Sequence, residues 1–280
     1  MIISEALNYG MKALSASGLS QSMLDAKLLI KNQLDFNDED FIKSLNHYIS
    51  LRDFESYKLK ILRRMNHEPI AHIIGQKDFW KNTFSVSKDT LIPRPDSEAL
   101  IESVLKYLPQ DENFNFLDLG TGSGCLIISI LEEFKNSQGI GIDISKNAIS
   151  IAIKNKKNIN NDLNLSFIDH DFFSYDTKGF DIIICNPPYV PKNELNEITE
   201  EVINFEPHLA LFPKKGIKDS YGKIISNIKL TNNKNCYVFF EIDYRDHVLV
   251  SNILKDNDFS VLAAENDLTN RPRCIVAKMD

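Results

Sequence analysis

The sequence predicts an α/β protein: a doubly wound, mainly parallel, seven-stranded sheet, preceded by an N-terminal helical bundle and a β-hairpin linker. Three observations predict it. From residue 113 onward, short apolar runs alternate with segments of helical period, the pattern of parallel strands joined by crossover helices. Residues 1–75 are poor in glycine and proline and repeat apolar side chains at helical spacing. A glycine-rich turn directly follows the first strand of the alternating region, where open α/β sheets hold their ligands.

The composition agrees. A chain of 280 residues suits one large domain or two ordinary ones. With 43% apolar and 25% charged residues it is neither disordered nor fibrous. No run of about 18 uncharged apolar residues exists, so no transmembrane helix is expected. Met1 to Ser20 lack a basic flank before an apolar core and do not read as a signal peptide. Cys125, Cys185, Cys236 and Cys274 lie far apart, which excludes a local zinc knuckle or a Cys-x-x-Cys pair and suits reduced thiols in a cytoplasm. Residues 1–75 are charge-balanced, and the remainder carries the whole net charge of −7. That sign counts against a duplex nucleic-acid substrate, whose phosphates call for cations.

The elements follow in order. Ile3, Leu7, Met11 and Leu14 form one helical stripe; Leu24, Leu28, Leu29 and Ile30 a second; Leu51, Phe54, Leu59 and Leu62 a third. Asp38 to Asp40 offer N-cap chemistry ahead of Phe41 and Ile42. Residues 1–75 therefore read as the helical bundle, whose own residues favour a packing or folding module over a substrate-docking lid. Residues 76–92 alternate weakly through Phe79, Trp80, Phe84 and Val86, with Asn82 in the turn, and read as the hairpin. Pro93-Arg94-Pro95 stiffens the entry to the third segment, 93–280, and Ser97-Glu98 opens a helix through Leu108. Strands are expected over 114–119, 139–144, 165–168, 180–185, 236–242, 259–262 and 274–277. Helices are expected over 125–134, after Ser145 with Ala148, Ile149, Ala152 and Ile153 facing inward, near 219–229 and near 244–256. The Lys/Asn-rich stretch 154–161 reads as a solvated helix end. Glu194, Glu197, Glu200 and Glu201 read as a solvated helix face, with a basic partner as the alternative.

The turn is Asp118-Leu119-Gly120-Thr121-Gly122-Ser123-Gly124. A dinucleotide fingerprint needs Gly-x-Gly-x-x-Gly, and Cys125 occupies its third glycine position here. The acid followed by Gly-x-Gly-x-Gly resembles instead the first motif of class I S-adenosylmethionine-dependent methyltransferases, which implies a Rossmann-like methyltransferase domain with that cofactor. Asp143 ends the second strand, where a carboxylate can accept both ribose hydroxyl hydrogens. Phe172, after the third strand, can face the adenine with its ring, or pack in the core.

The fourth strand runs into Asn186-Pro187-Pro188-Tyr189. Two prolines make a rigid corner with free carbonyls. The tetrapeptide resembles the motif of methyltransferases acting on planar nitrogen, in adenine or in glutamine side chains. Such a nitrogen is a poor nucleophile, because its lone pair is delocalised. The Asn186 side-chain oxygen and the Pro187 carbonyl can accept its two N–H bonds, aim the lone pair, and stabilise the positive charge that grows on it. Tyr189 can pack against the planar group. Asn186, Pro187 and Tyr189 are thus the candidate catalytic residues, Asn186 through Tyr189 the candidate substrate site. No Ser/His/Asp set, metal cluster or carboxylate pair competes, so no metal is expected.

Further segments make the resemblance specific. Glu68 to Gly75, Leu91 to Glu98, Phe205-Glu206-Pro207 with Ala210-Leu211, and Asp267 to Arg273 resemble segments of the release factor glutamine methyltransferases (the HemK/PrmC family) over essentially the full length. The resemblance implies methyl transfer from S-adenosylmethionine to N5 of the glutamine in the Gly-Gly-Gln loop of class I peptide chain release factors. It implies a helical domain that docks substrate, a cofactor held by Gly120, Thr121, Gly122, Ser123, Gly124, Asp143, Phe172 and Asn186, and a cytoplasmic, monomeric protein acting on no nucleic acid or membrane directly. Two departures stand out: Phe212-Pro213-Lys214-Lys215-Gly216 where the family carries glycines and an acid, and Asp243 where it carries glycine. The alternatives are a ribosomal-protein glutamine methyltransferase, disfavoured by Pro93 to Glu98, a DNA adenine methyltransferase, disfavoured by charge and the absence of a basic recognition insert, and a non-enzymatic module that has kept cofactor affinity.

Overall fold

The computed structural model describes residues 1–191, 194–195, 198–231 and 235–280. It divides into two compact units: Met1–Gly75 with Ile198–Phe205, and Gln76–Glu197 with Glu206–Asp280.

The first unit contains α1 (Ile3–Ala16), α2 (Ser22–Leu34), α3 (Asp38–Ser44), α4 (Leu51–Met65) and α5 (Ile70–Ile74). Ile3, Leu14, Leu29, Ile30, Phe41, Tyr57 and Ile61 are buried together. Ser50 Oγ accepts the Asp53 N–H at 3.0 Å and starts α4. The stripe expected on α4 is not the buried one. Leu51, Leu59 and Leu62 are exposed, as is Leu24 on α2, and α4 buries Tyr57, Ile61 and Arg64 instead. The charged group among these is satisfied: Arg64 pairs with Asp25 at 2.7 Å and with Glu201 at 2.6 Å. Glu201 lies on α9 (Glu200–Phe205), the piece of chain this unit receives from far along the sequence. The cap of α3 is Asn37, whose side chain accepts Asp40 N–H at 2.8 Å, one residue before the expected acids; Ile42 is exposed.

The second unit opens with the antiparallel hairpin β1 (Gln76–Phe79) and β2 (Asn82–Ser85). Asn82 pairs with Phe79, so the turn is Trp80-Lys81 rather than Asn82. Trp80 takes a positive φ of 54°. Glu98 accepts its backbone N–H at 2.8 Å and Glu133 its indole N–H at 3.0 Å, which compensates an unusual conformation for a bulky residue.

The sheet contains β3 (Asn115–Leu119), β4 (Gln138–Asp143), β5 (Leu165–Asp169), β6 (Ile182–Cys185), β7 (Tyr237–Glu241), β8 (Phe259–Asn266) and β9 (Pro272–Met279). Their order is β5-β4-β3-β6-β7-β9-β8, with β9 antiparallel to both neighbours. The expected mainly parallel, seven-stranded sheet is therefore present. Successive residues of the inner strands feed two cores. Phe116, Ile182, Ile184 and Phe239 pack with α6 (Glu98–Tyr107), α7 (Cys125–Glu133) and the hairpin phenylalanines. Leu117, Leu119, Ile183, Cys185, Val238 and Phe240 pack with α11 (Ile217–Thr231) and α12 (His247–Lys255). Burial on both faces explains why these strands read as unbroken apolar runs. α8 (Lys146–Ile159) and the short α10 (His208–Leu211) complete the helices among the described residues. Ser145 Oγ accepts Ala148 N–H at 3.2 Å, as expected of the cap, but Ile153 is exposed.

Candidate active site

Register places the site. β3 pairs with β4 on one side and β6 on the other, so the sheet switches direction of winding there, the place where open α/β sheets leave a crevice. Leu119 stands opposite Ile142 and Cys185, and Cys185 opposite Phe240. One residue beyond this line come Gly120, Asp143, Asn186 and Glu241. Four strands thus deliver a glycine turn, an amide and two carboxyls to one edge.

The glycine turn has positive φ at Gly120 (80°), Gly122 (56°) and Gly124 (79°), which side chains with a Cβ disfavour. Gly120 and Thr121 both donate to Ile142 O, at 2.9 and 2.8 Å. Below the turn, Asp118 Oδ2 accepts the Thr121 hydroxyl at 2.6 Å. Complete burial pushes the Asp118 carboxyl up to about 7. Asp143 receives Gly122 N–H at 3.0 Å and Ser145 N–H at 2.9 Å. Burial raises its pKa, and those backbone donors pull it back. Each carboxylate oxygen can still accept a further bond. The Phe172 ring lies against Gly120.

One cleft is lined by Gly120, Thr121, Gly122, Ser123, Asp143, Phe172, Asn186 and Pro188. Of the residues singled out in the sequence, Gly124, Pro187 and Tyr189 are not in that lining. Gly124 caps α7; Pro187 is buried; Tyr189 sends its hydroxyl to Glu241 Oε1 at 3.0 Å. Asn186 Nδ2 donates to Ser97 Oγ at 3.4 Å.

Sequence reasoning overlooked part of this wall. Leu91, Arg94, Ser97, Pro207 and Leu209 also line the cleft. Leu91, Arg94, Ser97 and Pro207 are signalled only as parts of family-like segments without a chemical role, and Leu209 by nothing in the sequence. Glu206, 4% exposed, explains two of those segments together: it accepts Ile92 N–H at 3.1 Å and binds Arg94. Asn155 lies in the stretch expected to be a solvated helix end, yet it is 1% exposed. Its amide donates to Ser85 O at 3.0 Å and Ser123 O at 2.9 Å, and accepts Ser85 N–H at 2.7 Å. It stitches the hairpin to the glycine turn. Of the acids after the Asn-Pro-Pro-Tyr corner, Glu194 holds Arg245 at 2.7 Å and Glu201 holds Arg64, Glu200 is solvent-exposed as expected, and Glu197 lies outside the described residues. Of the two departures, Phe212 to Lys215 line a second groove sharing Phe172 and Pro188 with the cleft, and Asp243 caps a short turn by accepting Arg245 N–H at 2.9 Å.

Residues 5–75 match the PrmC N-terminal domain and residues 110–241 a methyltransferase domain. A release factor glutamine methyltransferase of Fusobacterium nucleatum is 34% identical, covering 98% of this chain and 78% of that protein. That of Buchnera aphidicola is 34% identical, covering 95% and 94%. A bifunctional methyltransferase of Rickettsia conorii is 31% identical over 98% of this chain, which spans 57% of that longer protein.

Proposed function

We propose, from the premise that the chain belongs to the release factor glutamine methyltransferase family, that it methylates N5 of the glutamine in the Gly-Gly-Gln loop of class I peptide chain release factors, in the cytoplasm. The cofactor is S-adenosylmethionine, whose sulfonium makes its methyl carbon electrophilic. The residues present fit it. The Cβ-free turn at Gly120 and Gly122 admits close approach of the methionine end, Asp143 keeps acceptor capacity for ribose hydroxyls, and Phe172 offers a ring face for adenine.

The observation that carries the reading is the shared register line: it sets the glycine turn and Asn186 side by side on adjacent strands, lining one cleft. Asn186 Oδ1 and the Pro187 carbonyl accept the acceptor amide's N–H bonds and direct its nitrogen at the methyl carbon. Such positioning is worth about 7 kcal/mol in favourable cases. The corner is stiff, so little of that is spent on ordering. The helical unit contributes to holding the protein substrate; Tyr48, Leu51, Leu59 and Leu62 are exposed on it, and apolar side chains of this kind suit protein contact.

The test is methyl transfer from labelled cofactor to a release factor, a ribosomal protein and DNA in parallel, with mass spectrometry of the modified peptide. Label on the Gly-Gly-Gln glutamine alone supports the reading; label on DNA or only on the ribosomal protein overturns it. Asn186→Ala should bind cofactor and lose most turnover.

A further inference from the structure

A second groove opens beside the cleft, within the same compact unit. Ile144, Phe172, Pro188 and Leu209 line both. Pro188 belongs to the corner that receives the target amide, so the groove lies next to the point where a substrate chain enters. Its volume of about 1070 Å³ exceeds the roughly 300–1,000 Å³ of small-molecule sites, which suits a stretch of chain better than a metabolite. Its lining is basic. Lys214, Lys215, Lys218 and Lys223 face two acids, Asp171 and Asp219. Lys223 is already engaged: it pairs with Asp219 at 2.9 Å and stands 5.8 Å from the centre of the Phe173 ring. Lys214, Lys215 and Lys218 are exposed and have no acidic partner among the described residues. The chain as a whole has the opposite sign, a net charge of −7.

Methyl transfer to an amide has no use for these lysines. The sulfonium donor is positive and positive charge grows on the acceptor nitrogen, so cations beside them would oppose the reaction. Like charges set side by side also repel one another, and an anionic partner relieves that repulsion. We propose that the groove docks an acidic, partly apolar segment of the protein substrate that neighbours the target glutamine. Its carboxylates meet Lys214, Lys215 and Lys218, and its apolar side chains pack on Phe173 and Phe212, which also line the groove. The proposal rests on the reading of the site as a release factor methyltransferase. It gives a purpose to the departure at 212–216, where lysines stand in place of the family's glycines and acid. An RNA strand fits less well. Proteins that hold nucleic acid by charge make about 6–10 phosphate contacts, and the three free lysines supply at most half of that.

The triple variant Lys214→Ala/Lys215→Ala/Lys218→Ala tests it. Its KM for the release factor should rise about three- to thirtyfold, the sum of three exposed charge contacts. Its kcat, and its Kd for S-adenosylmethionine by calorimetry, should stay within about twofold of wild type. Added NaCl should raise the wild-type KM and leave that of the variant nearly flat, because screening acts on the contacts the variant has already lost. A charge exchange separates docking from an effect on folding: the KM of Lys215→Glu should recover when one acid of the release factor close to its glutamine is changed to lysine, the acids being scanned singly. An activity-independent arm is fluorescence anisotropy with a labelled peptide rich in glutamate and leucine and with an RNA oligonucleotide of equal charge. The wild type should bind the peptide more tightly than the RNA, and the triple variant should bind the peptide at least about threefold more weakly. An unchanged KM in the triple variant, a wild-type salt dependence in that variant, or a preference for RNA would overturn the proposal. If the wild type leaves the release factor unmethylated, the functional reading falls, and the groove stands or falls with the peptide measurement.

Discussion

The Asp143 carboxylate accepts the backbone N–H of Gly122 at 3.0 Å. The acid that ends the second strand of the sheet and the turn that ends the first are therefore one mechanical unit. The bond holds the turn in its positive-φ path, and the same carboxylate faces the cleft.

Asp143→Ala should weaken S-adenosylmethionine binding by roughly ten- to a hundredfold, because hydrogen bonds to a charged group contribute about 1.5–3 kcal/mol. Titration calorimetry measures it. An affinity within twofold of wild type would remove Asp143 from the ribose site.

Gly141→Ala should destabilise the fold by about 1–3 kcal/mol, the usual cost of overpacking. An added Cβ would lie 2.7 Å from both Phe167 Cδ1 and Thr121 Oγ1, so the substitution presses on the underside of the glycine turn. Urea unfolding reads the stability, and cofactor affinity should fall with it.

Asp118 gives the protein a pH signature. In the unfolded chain its carboxyl titrates near 3.8, and in the fold near 7. Between those values the native state keeps a proton that the unfolded state has lost, so this group lowers stability as pH rises from about 4 to about 7 and has a constant effect above. Asp118→Asn cannot titrate. Its urea midpoint, without cofactor, should fall less between pH 5 and pH 7.5 than the wild-type midpoint does.

Arg64→Ala should cost about 3–5 kcal/mol, because it leaves the buried Asp25 without its cation. Arg63→Ala is the control. The Arg63–Glu68 pair is far more exposed, and its loss should cost about 1 kcal/mol or less. Equal unfolding midpoints for the two variants would contradict this assignment.

What the sequence made legible is what local chemistry dictates. The glycine turn, the acid that ends β4, the proline-braced corner and the Ser145 cap depend on neighbours a few residues away, and each can be found by spacing. The strands buried on both faces announce themselves as apolar runs. β8 extends past its expected end because, after Phe259, it alternates exposed and half-buried residues as an edge strand does. Less legible were buried polar groups whose partners are remote. Nothing near Asn155 indicates Ser85 or Ser123, and nothing near Arg64 indicates Glu201. Leu51, Leu59 and Leu62 misled for the converse reason: leucine is compatible with either face of a helix, and α4 turned its tyrosine and arginine inward. Glu241 was hidden at the end of an apolar strand, and only the register of β7 against β6 sets it beside Asn186.

The Arg64–Glu201 pair has a consequence for how the chain is made. A ribosome delivers α1 to α5 first, but the carboxylate that completes their buried arginine arrives only with α9, roughly 120 residues later. At about 5–20 residues per second, the nascent bundle waits some 6–25 s, at the same rate, with Arg64 paired to Asp25 but its Nη2 still without Glu201. Early helices would then mature late, and cutting the gene after Gly75 would yield a fragment whose Arg64 keeps Asp25 but never gains the Glu201 contact.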